Sequence, residues 1–345
     1  MALTAAALFG ASAPFAKLLL AGAAPQLLAG LLYLGSGLGL SLLWLRRRRS
    51  AAVAREAPLA RRDLPWLAGA VTFGGVLGPV LLMLGLTRTP ASAASLLLNL
   101  EGVFTALIAW FVFRENFDRR IAAGMVAIVA GGALLSWEGR VSWGGAAGPL
   151  AVAGACLSWA IDNNLTQKVS AGDPVQIAMI KGLVAGSINT AIAILFSAHW
   201  PEGTRIVAAL AVGFLGYGVS LVLFVLALRH LGTARTGAYF STAPFVGAAL
   251  SLAVLRERPT LLLGAAAALM GLGVWLHLTE RHEHEHRHEM MEHDHAHLHD
   301  EHHRHGRAAG DAPVSDPTPH RHSHRHEPML HSHPHYPDIH HRHSH

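Results

Sequence analysis

The sequence predicts an all-α integral membrane protein of ten transmembrane helices, arranged as two inverted five-helix repeats and followed by a disordered, His-rich C-terminal tail. Three observations predict it. Of 345 residues, 52% are hydrophobic and only 14% are charged, too apolar an average for an ordinary soluble domain. The apolar residues gather in ten runs of membrane-spanning length. A stretch of the first half also recurs in the second at a fixed offset. Charge separates the tail from the rest: residues 1–280 hold 20 Lys and Arg against 11 Asp and Glu, whereas 281–345 hold 7 against 11. The chain therefore divides into a first repeat, 1–142, a second repeat, 143–280, and a tail, 281–345.

The ten runs lie at 2–21, 26–45, 65–87, 91–113, 120–137, 148–170, 174–198, 204–229, 233–255 and 259–279. The first includes Pro14 and Lys17 and lacks a basic leader and a small-residue cleavage pattern, so it reads as a membrane helix and not as a removed signal peptide. Links after the second, fourth, sixth and eighth runs carry thirteen Lys and Arg, and the other side carries five. The positive-inside rule then places both termini in the cytoplasm of a bacterial-type inner or plasma membrane. The same loop placement makes the lipid bilayer, and no nucleic acid, the partner of these basic residues. The single cysteine, Cys156, lies inside an apolar run and offers neither a disulfide nor a Cys-type zinc site.

The repeat runs from Leu84–Glu115 onto Leu226–Glu257, a shift of 142, and each copy ends in Arg-Glu. Gly124 and Gly131 are matched in spacing by Gly264 and Gly271, and Pro25 by Pro174. Five helices is an odd number, so the second unit enters the membrane upside down. Such inverted repeats place a binding site near the midplane between the halves and permit alternating access. Gly35 with Gly39, Gly74 with Gly78, and Gly182 with Gly186 present smooth helix faces for close packing.

Polar residues inside apolar runs are the candidate site residues, because charge in hydrocarbon is costly and is usually paired or functional. Asp162, Asn163 and Asn164 lie in the sixth run and Lys181 in the seventh, joined by a tight Gly172-Asp173-Pro174 turn. At ~1.5 Å per residue, Asp162 and Lys181 lie roughly 10–12 Å from one membrane face. They can form an ion pair that pins two helices, or share a polar ligand. Glu101 lies near the middle of the fourth run beside Asn99, and the repeat shift matches it to Ala243. Desolvation disfavours a charged carboxylate there, which suits a group that takes up and releases a proton. Cation binding, a structural pair with Lys or Arg, and a neutral hydrogen-bonded acid are the other roles open to it. Lys17 is expected to snorkel to the interface, and Gln167, Asn189 and Tyr217 to hydrogen-bond between helices.

The tail holds 22 histidines between His282 and His345, mostly at alternate positions. The candidate metal ligands are His282, His284, His286, His288, His293, His295, His297, His299, His302, His303 and His305. Imidazole suits Ni, Co, Zn and Cu, and the interleaved carboxylates complete a flexible chelator. Without an apolar core the segment is expected to order only with metal, and proton competition to weaken binding below roughly pH 6. Two His-Glu-x-x-His matches arise from composition and lack the folded helix a metalloprotease needs.

Residues Ala6–Pro14, Thr89–Ser95 and the two Arg-Glu helix ends together resemble the drug/metabolite transporter superfamily, in its EamA-type branch, over about residues 1–280. That resemblance implies ten helices in two inverted repeats and gradient-driven export or exchange of solutes. The Asp162-Asn163-Asn164 segment is more polar than the family pattern, and the tail lies outside it. Three readings follow. The chain exports divalent metal ions, with its tail gathering Ni, Co or Zn at the cytoplasmic mouth. Alternatively, it exports small organic metabolites or drugs while the tail buffers or senses metal. In the third, it is a membrane-anchored metal buffer. No enzyme activity and no required cofactor are expected, since no phosphate loop or cofactor fingerprint is present; a homodimer is compatible with all three.

Overall fold

The computed structural model describes residues 1–49, 59, 61–113, 119–136, 143–169, 172–279, 283–287, 291–297, 320–326 and 330–334. Through residue 279 these are helical: α1 (Ala2–Leu20), α2 (Pro25–Arg49), α3 (Leu64–Ala70), α4 (Gly78–Arg88), α5 (Ala91–Leu97), α6 (Leu100–Phe113), α7 (Arg119–Leu135), α8 (Trp143–Gln167), α9 (Pro174–Leu195), α10 (Gly203–Gly213), α11 (Ser220–Phe240), α12 (Ala243–Val254) and α13 (Leu261–Leu278). A short 3-10 turn, Arg61–Asp63, precedes α3. Among the described residues, six helical runs are long and apolar enough to cross a membrane, and α12 and α13 supply shorter apolar stretches.

The helices depart from the expected runs at three places. α3 joins α4 through a π-helical stretch, Val71–Leu77, and α10 joins α11 through another, Phe214–Val219. The two occupy counterpart places in the repeat, and both are rich in glycine. The fourth run, expected to be one helix, breaks at Leu98 and Asn99, and its counterpart breaks at Ser241 and Thr242. Finally, the expected boundary at 230–232 lies inside α11, which runs on to Phe240. Pro90 ends the matching helix in the first half because it lacks an N–H and constrains the residue before it. Gly232 stands at its counterpart position and keeps its N–H, so the helix continues.

Packing exchanges the halves. α1 lies on α11 and α12, α4 on α8, α2 on α9, and α7 on α13. Lipid supplies little hydrophobic drive between such helices, so close backbone approach matters. The glycines provide it: a Cβ on Gly182 would stand 2.5 Å from the Gly37 nitrogen, and one on Gly186 2.5 Å from that of Leu34. Asp173 starts α9 by accepting a hydrogen bond from the Val175 N–H at 2.9 Å, with Pro174 at the first helical position.

The Arg-Glu end of the second half does more than mark a repeat. Arg256 takes a positive φ of 54°, and Glu257 then accepts from the Ala91 and Ser92 N–H groups at 2.7 and 3.0 Å, capping α5 of the other half. Its counterpart Glu115 lies outside the described residues. Two charge-assisted bonds of this kind oppose the roughly 1–2 kcal/mol that a left-handed non-glycine residue costs. Glu257→Ala is therefore expected to lower stability by about 1–3 kcal/mol, read as a fall in thermal midpoint of the purified protein, with Glu257→Gln intermediate. An unchanged midpoint would reject the cap.

In the tail, where no regular structure was expected in the absence of metal, the described residues form four short strands, β1 (Glu283–Arg287), β2 (Met291–His297), β3 (His320–His326) and β4 (Leu330–Pro334). β1 pairs with β4 and β2 with β3, both antiparallel. A strict alternation of histidine with other residues is a period-two pattern, which a strand accommodates.

Candidate functional site

The break in the fourth run decides where Glu101 stands. Because α6 begins at Leu100, Glu101 falls in its first turn, with its own N–H bonded to the Leu98 carbonyl at 3.1 Å. Just before it, Asn99 donates to the Leu96 carbonyl at 2.9 Å and contacts the Met270 sulfur at 3.9 Å. Asn99 thus serves its own helix end and the α13 neighbour, and is not joined to Glu101.

Opposite, α8 turns successive polar residues toward different neighbours. Asn163 donates through Nδ2 to Glu101 Oε1 at 2.7 Å. This bond joins a residue of the first half to one of the second. Among the described residues no Lys or Arg pairs with Glu101, so the structural ion pair considered for it is not found. Glu101 is half-buried and Asn163 exposed. Asn164 bends back to the Ala160 carbonyl at 2.8 Å and takes no part.

One residue earlier on α8, Asp162 meets Lys181 of α9. The Lys181 ammonium donates to both carboxylate oxygens at 2.6 and 2.7 Å and reaches Thr166 Oγ at 3.3 Å. Thr166 in turn donates to Asp162 Oδ1 at 2.8 Å. Both charged residues are buried, 6% and 5% exposed, so each charge is neutralised where water is scarce. The expected pairing is thus formed, as a closed triad with no spare charge. Thr166 was not singled out from sequence, although its i,i+4 spacing from Asp162 was a usable signal.

The first π stretch supplies the floor. A π-helical turn loosens the regular backbone ladder, and here its carbonyls are taken by side chains from other helices. Gly74 O accepts from Tyr33 Oη at 2.6 Å and Trp159 Nε1 at 3.0 Å, and Gly75 O accepts from Asn189 Nδ2 at 3.0 Å. Gln26 donates to Asn189 Oδ1 at 2.9 Å. Asn189 therefore bonds across helices as expected. Gly74 has no room for a side chain because the Asp162 carboxylate occupies that space.

Above this floor stand Phe9, Tyr33, Trp159 and Tyr217. Phe9 lies 6.0 Å from Trp159 and 5.9 Å from Tyr217, ring to ring, and Tyr33 lies 5.4 Å from Tyr217. The buried Tyr217 hydroxyl faces Ser12 of α1, across helices as expected, though outside the geometric limits of a full hydrogen bond. Nothing local in sequence pointed to Tyr33 or Trp159, whose shared partner is 41 and 85 residues away. Lys17, expected to snorkel, instead donates to the Leu86 carbonyl and to that of Thr89 at 3.0 Å, closing the C-terminal end of α4.

Among the described residues no three His, Cys, Asp or Glu side chains are grouped to hold a metal ion. Of the tail ligands, His284 and His286 fall in β1 and His293, His295 and His297 in β2. His282, His288, His299, His302, His303 and His305 lie outside the described residues.

Comparison with known proteins agrees with this architecture. The profile of the EamA-like transporter family matches residues 1–137 and again 146–279. An uncharacterized transporter of Methanothermobacter thermautotrophicus is 28% identical over 287 residues, 79% of this chain and 84% of the relative. A probable 4-amino-4-deoxy-L-arabinose-phosphoundecaprenol flippase subunit, ArnE, of Pseudomonas paraeruginosa is 40% identical over 112 residues, 32% of this chain and 95% of the relative. One crystal structure superimposes with a TM-score of 0.59 at 21% identity, covering 80% of this chain and 94% of the other, a likeness of fold.

Proposed function

Because the chain belongs to the EamA-like transporter family, we propose that it is a secondary exporter of cations that alternates access between two inverted repeats, 1–142 and 143–280. The observation that carries this is the Glu101–Asn163 bond, which links the halves through an acid with no cationic partner among the described residues. A cation or a proton arriving at Glu101 displaces Asn163 and so loosens one contact between the repeats. The Asp162–Lys181–Thr166 triad keeps α8 and α9 together as one body during that movement. Energy comes from an ion gradient, with the termini in the cytoplasm.

For cargo we take a divalent metal ion, nickel, cobalt or zinc, gathered by the histidine tail on the loading side. One carboxylate with a carboxamide is a sparse set of ligands, so the ion would cross partly hydrated. A second reading, a small organic metabolite or drug, is favoured by the aromatic group around Phe9, Trp159 and Tyr217 and by the absence of a three-ligand cluster among the described residues. Aromatic faces suit an organic cation, and a relative is named as a flippase subunit for a lipid-linked amino sugar.

The test is cellular Ni²⁺, Co²⁺ and Zn²⁺ content in cells expressing the full chain, a chain ended after Glu280, and Glu101→Gln. Metal export predicts lowered metal with the full chain, a smaller effect after truncation and none with Glu101→Gln. Metal that rises with the tail and ignores Glu101 makes the tail a buffer and rejects metal as cargo.

A further inference from the structure

The two π-helical stretches are counterparts in the repeat, and both close in the same way. The Gly78 N–H bonds the Phe73 carbonyl and the Ser220 N–H that of Leu215, each the long bond of a π turn. Such turns are places where a helix kinks. What surrounds the two differs. At Val71–Leu77 the Gly74 carbonyl is taken by Tyr33 of α2 and Trp159 of α8 at 2.6 and 3.0 Å, and the Gly75 carbonyl by Asn189 of α9 at 3.0 Å. At Phe214–Val219 no side chain among the described residues bonds a carbonyl. Ser220, which follows it, donates instead to the Ala5 carbonyl of α1 at 2.8 Å.

The sequence accounts for the difference. By the offset that matches Pro25 to Pro174, Tyr33 corresponds to Gly182, Trp159 to Gly10 and Asn189 to Leu40. None of these three can donate from a side chain. Leu40 does lie where the offset puts it, since a Cβ on Gly218 would stand 3.5 Å from the Leu40 Cγ. The charged triad has no counterpart there either: Asp162 fills the space beside Gly74, whereas Ser12 stands beside Gly216.

We propose that Phe214–Val219 is the hinge of transport, at which α10 bends against α11, while Tyr33, Trp159 and Asn189 hold Val71–Leu77 in one shape. The proposal rests on the reading of alternating access and adds which half moves to give it. Bending the first stretch breaks three interhelical bonds, and hydrocarbon offers nothing to replace them. Bending the second breaks none of that kind among the described residues. The two repeats thus share a fold but not a stiffness. Tyr217 lies within the hinge, its ring 5.9 Å from that of Phe9 and 5.4 Å from that of Tyr33. Movement at the hinge therefore separates Tyr217 from α1 and α2 and opens the aromatic group from the side of the second repeat.

The experiment measures distances between paired spin labels on the full chain in lipid nanodiscs, in a Cys156→Ala background. Trp66→Cys with Leu84→Cys spans the first stretch. Ala208→Cys with Leu226→Cys, the counterpart positions, spans the second at the same separation in sequence. All four positions are exposed or half-buried. The first pair is expected to give one narrow distribution, and the second a distribution at least about twofold broader or two populations. Tyr33→Phe with Asn189→Leu is expected to broaden the first toward the second. Equal widths, or a broader distribution across 71–77, would overturn the hinge, and so would a first pair that ignores the loss of those two bonds. Where a labelled chain does not fold, hydrogen exchange of the natural chain decides: amides of 214–219 exchanging at least about tenfold faster than those of 71–77 support the hinge, and equal or reversed rates overturn it. Transport itself is judged separately, by cellular metal content. A chain that transports with equal widths loses the hinge alone, and one with unequal widths and no transport keeps the hinge and loses the transport reading.

Discussion

Glu101→Gln is expected to reduce gradient-driven transport to the level of protein-free vesicles while leaving solute exchange and protein yield unchanged. Glutamine fills the same space in the first turn of α6 and can still bond Asn163, whose Nδ2 now supplies the Glu101 carboxylate at 2.7 Å. What it cannot do is gain or lose charge. If Glu101 couples a proton or cation to movement of the repeats, driven accumulation disappears and exchange down a gradient persists. Counterflow and driven uptake, measured in the same proteoliposomes, separate the two. Equal loss of both, or loss of neither, would reject coupling by Glu101.

The second large effect concerns the pair beneath it. Asp162→Asn and Lys181→Met are each expected to destabilise the protein by about 3–5 kcal/mol, because removing one partner leaves an uncompensated buried charge. The double replacement should recover most of that loss, since the desolvation of both charges goes with it. Thermal unfolding in detergent of the four proteins gives the coupling. Additive single effects would reject the pair despite its 2.6 Å contact. Recovery of stability without recovery of transport would show that the triad also times the movement of α8 and α9.

These expectations depend on sequence and structure in different proportions. Spans, loop charge and the repeat follow from hydropathy and spacing, which are local quantities. The Asp162–Lys181 pairing was also within reach, since a tight turn fixes both depths at once. By contrast, Asn99 beside Glu101 and Asn164 beside Asp162 are candidates for their polarity alone, and each instead bonds a carbonyl three or four residues back. Side-chain amides three or four residues from a carbonyl have that option, and periodicity does not report it. Lys17 illustrates the same limit: its depth suited snorkelling, but the end of α4 lies within its reach.

Sequence by itself determined that this chain crosses the membrane many times, repeats itself, belongs with EamA-type transporters in its resemblance, and ends in an imidazole-rich tail. Those properties reside in composition and period. Only the tertiary structure decided that the fourth run breaks beside Glu101, that Asn163 rather than Asn164 answers it across the halves, and that Glu257 caps a helix of the other repeat. Each of these depends on where a distant backbone lies to within an ångström or two. Hydrogen bonding and register are that sensitive to distance, and an apolar run is not.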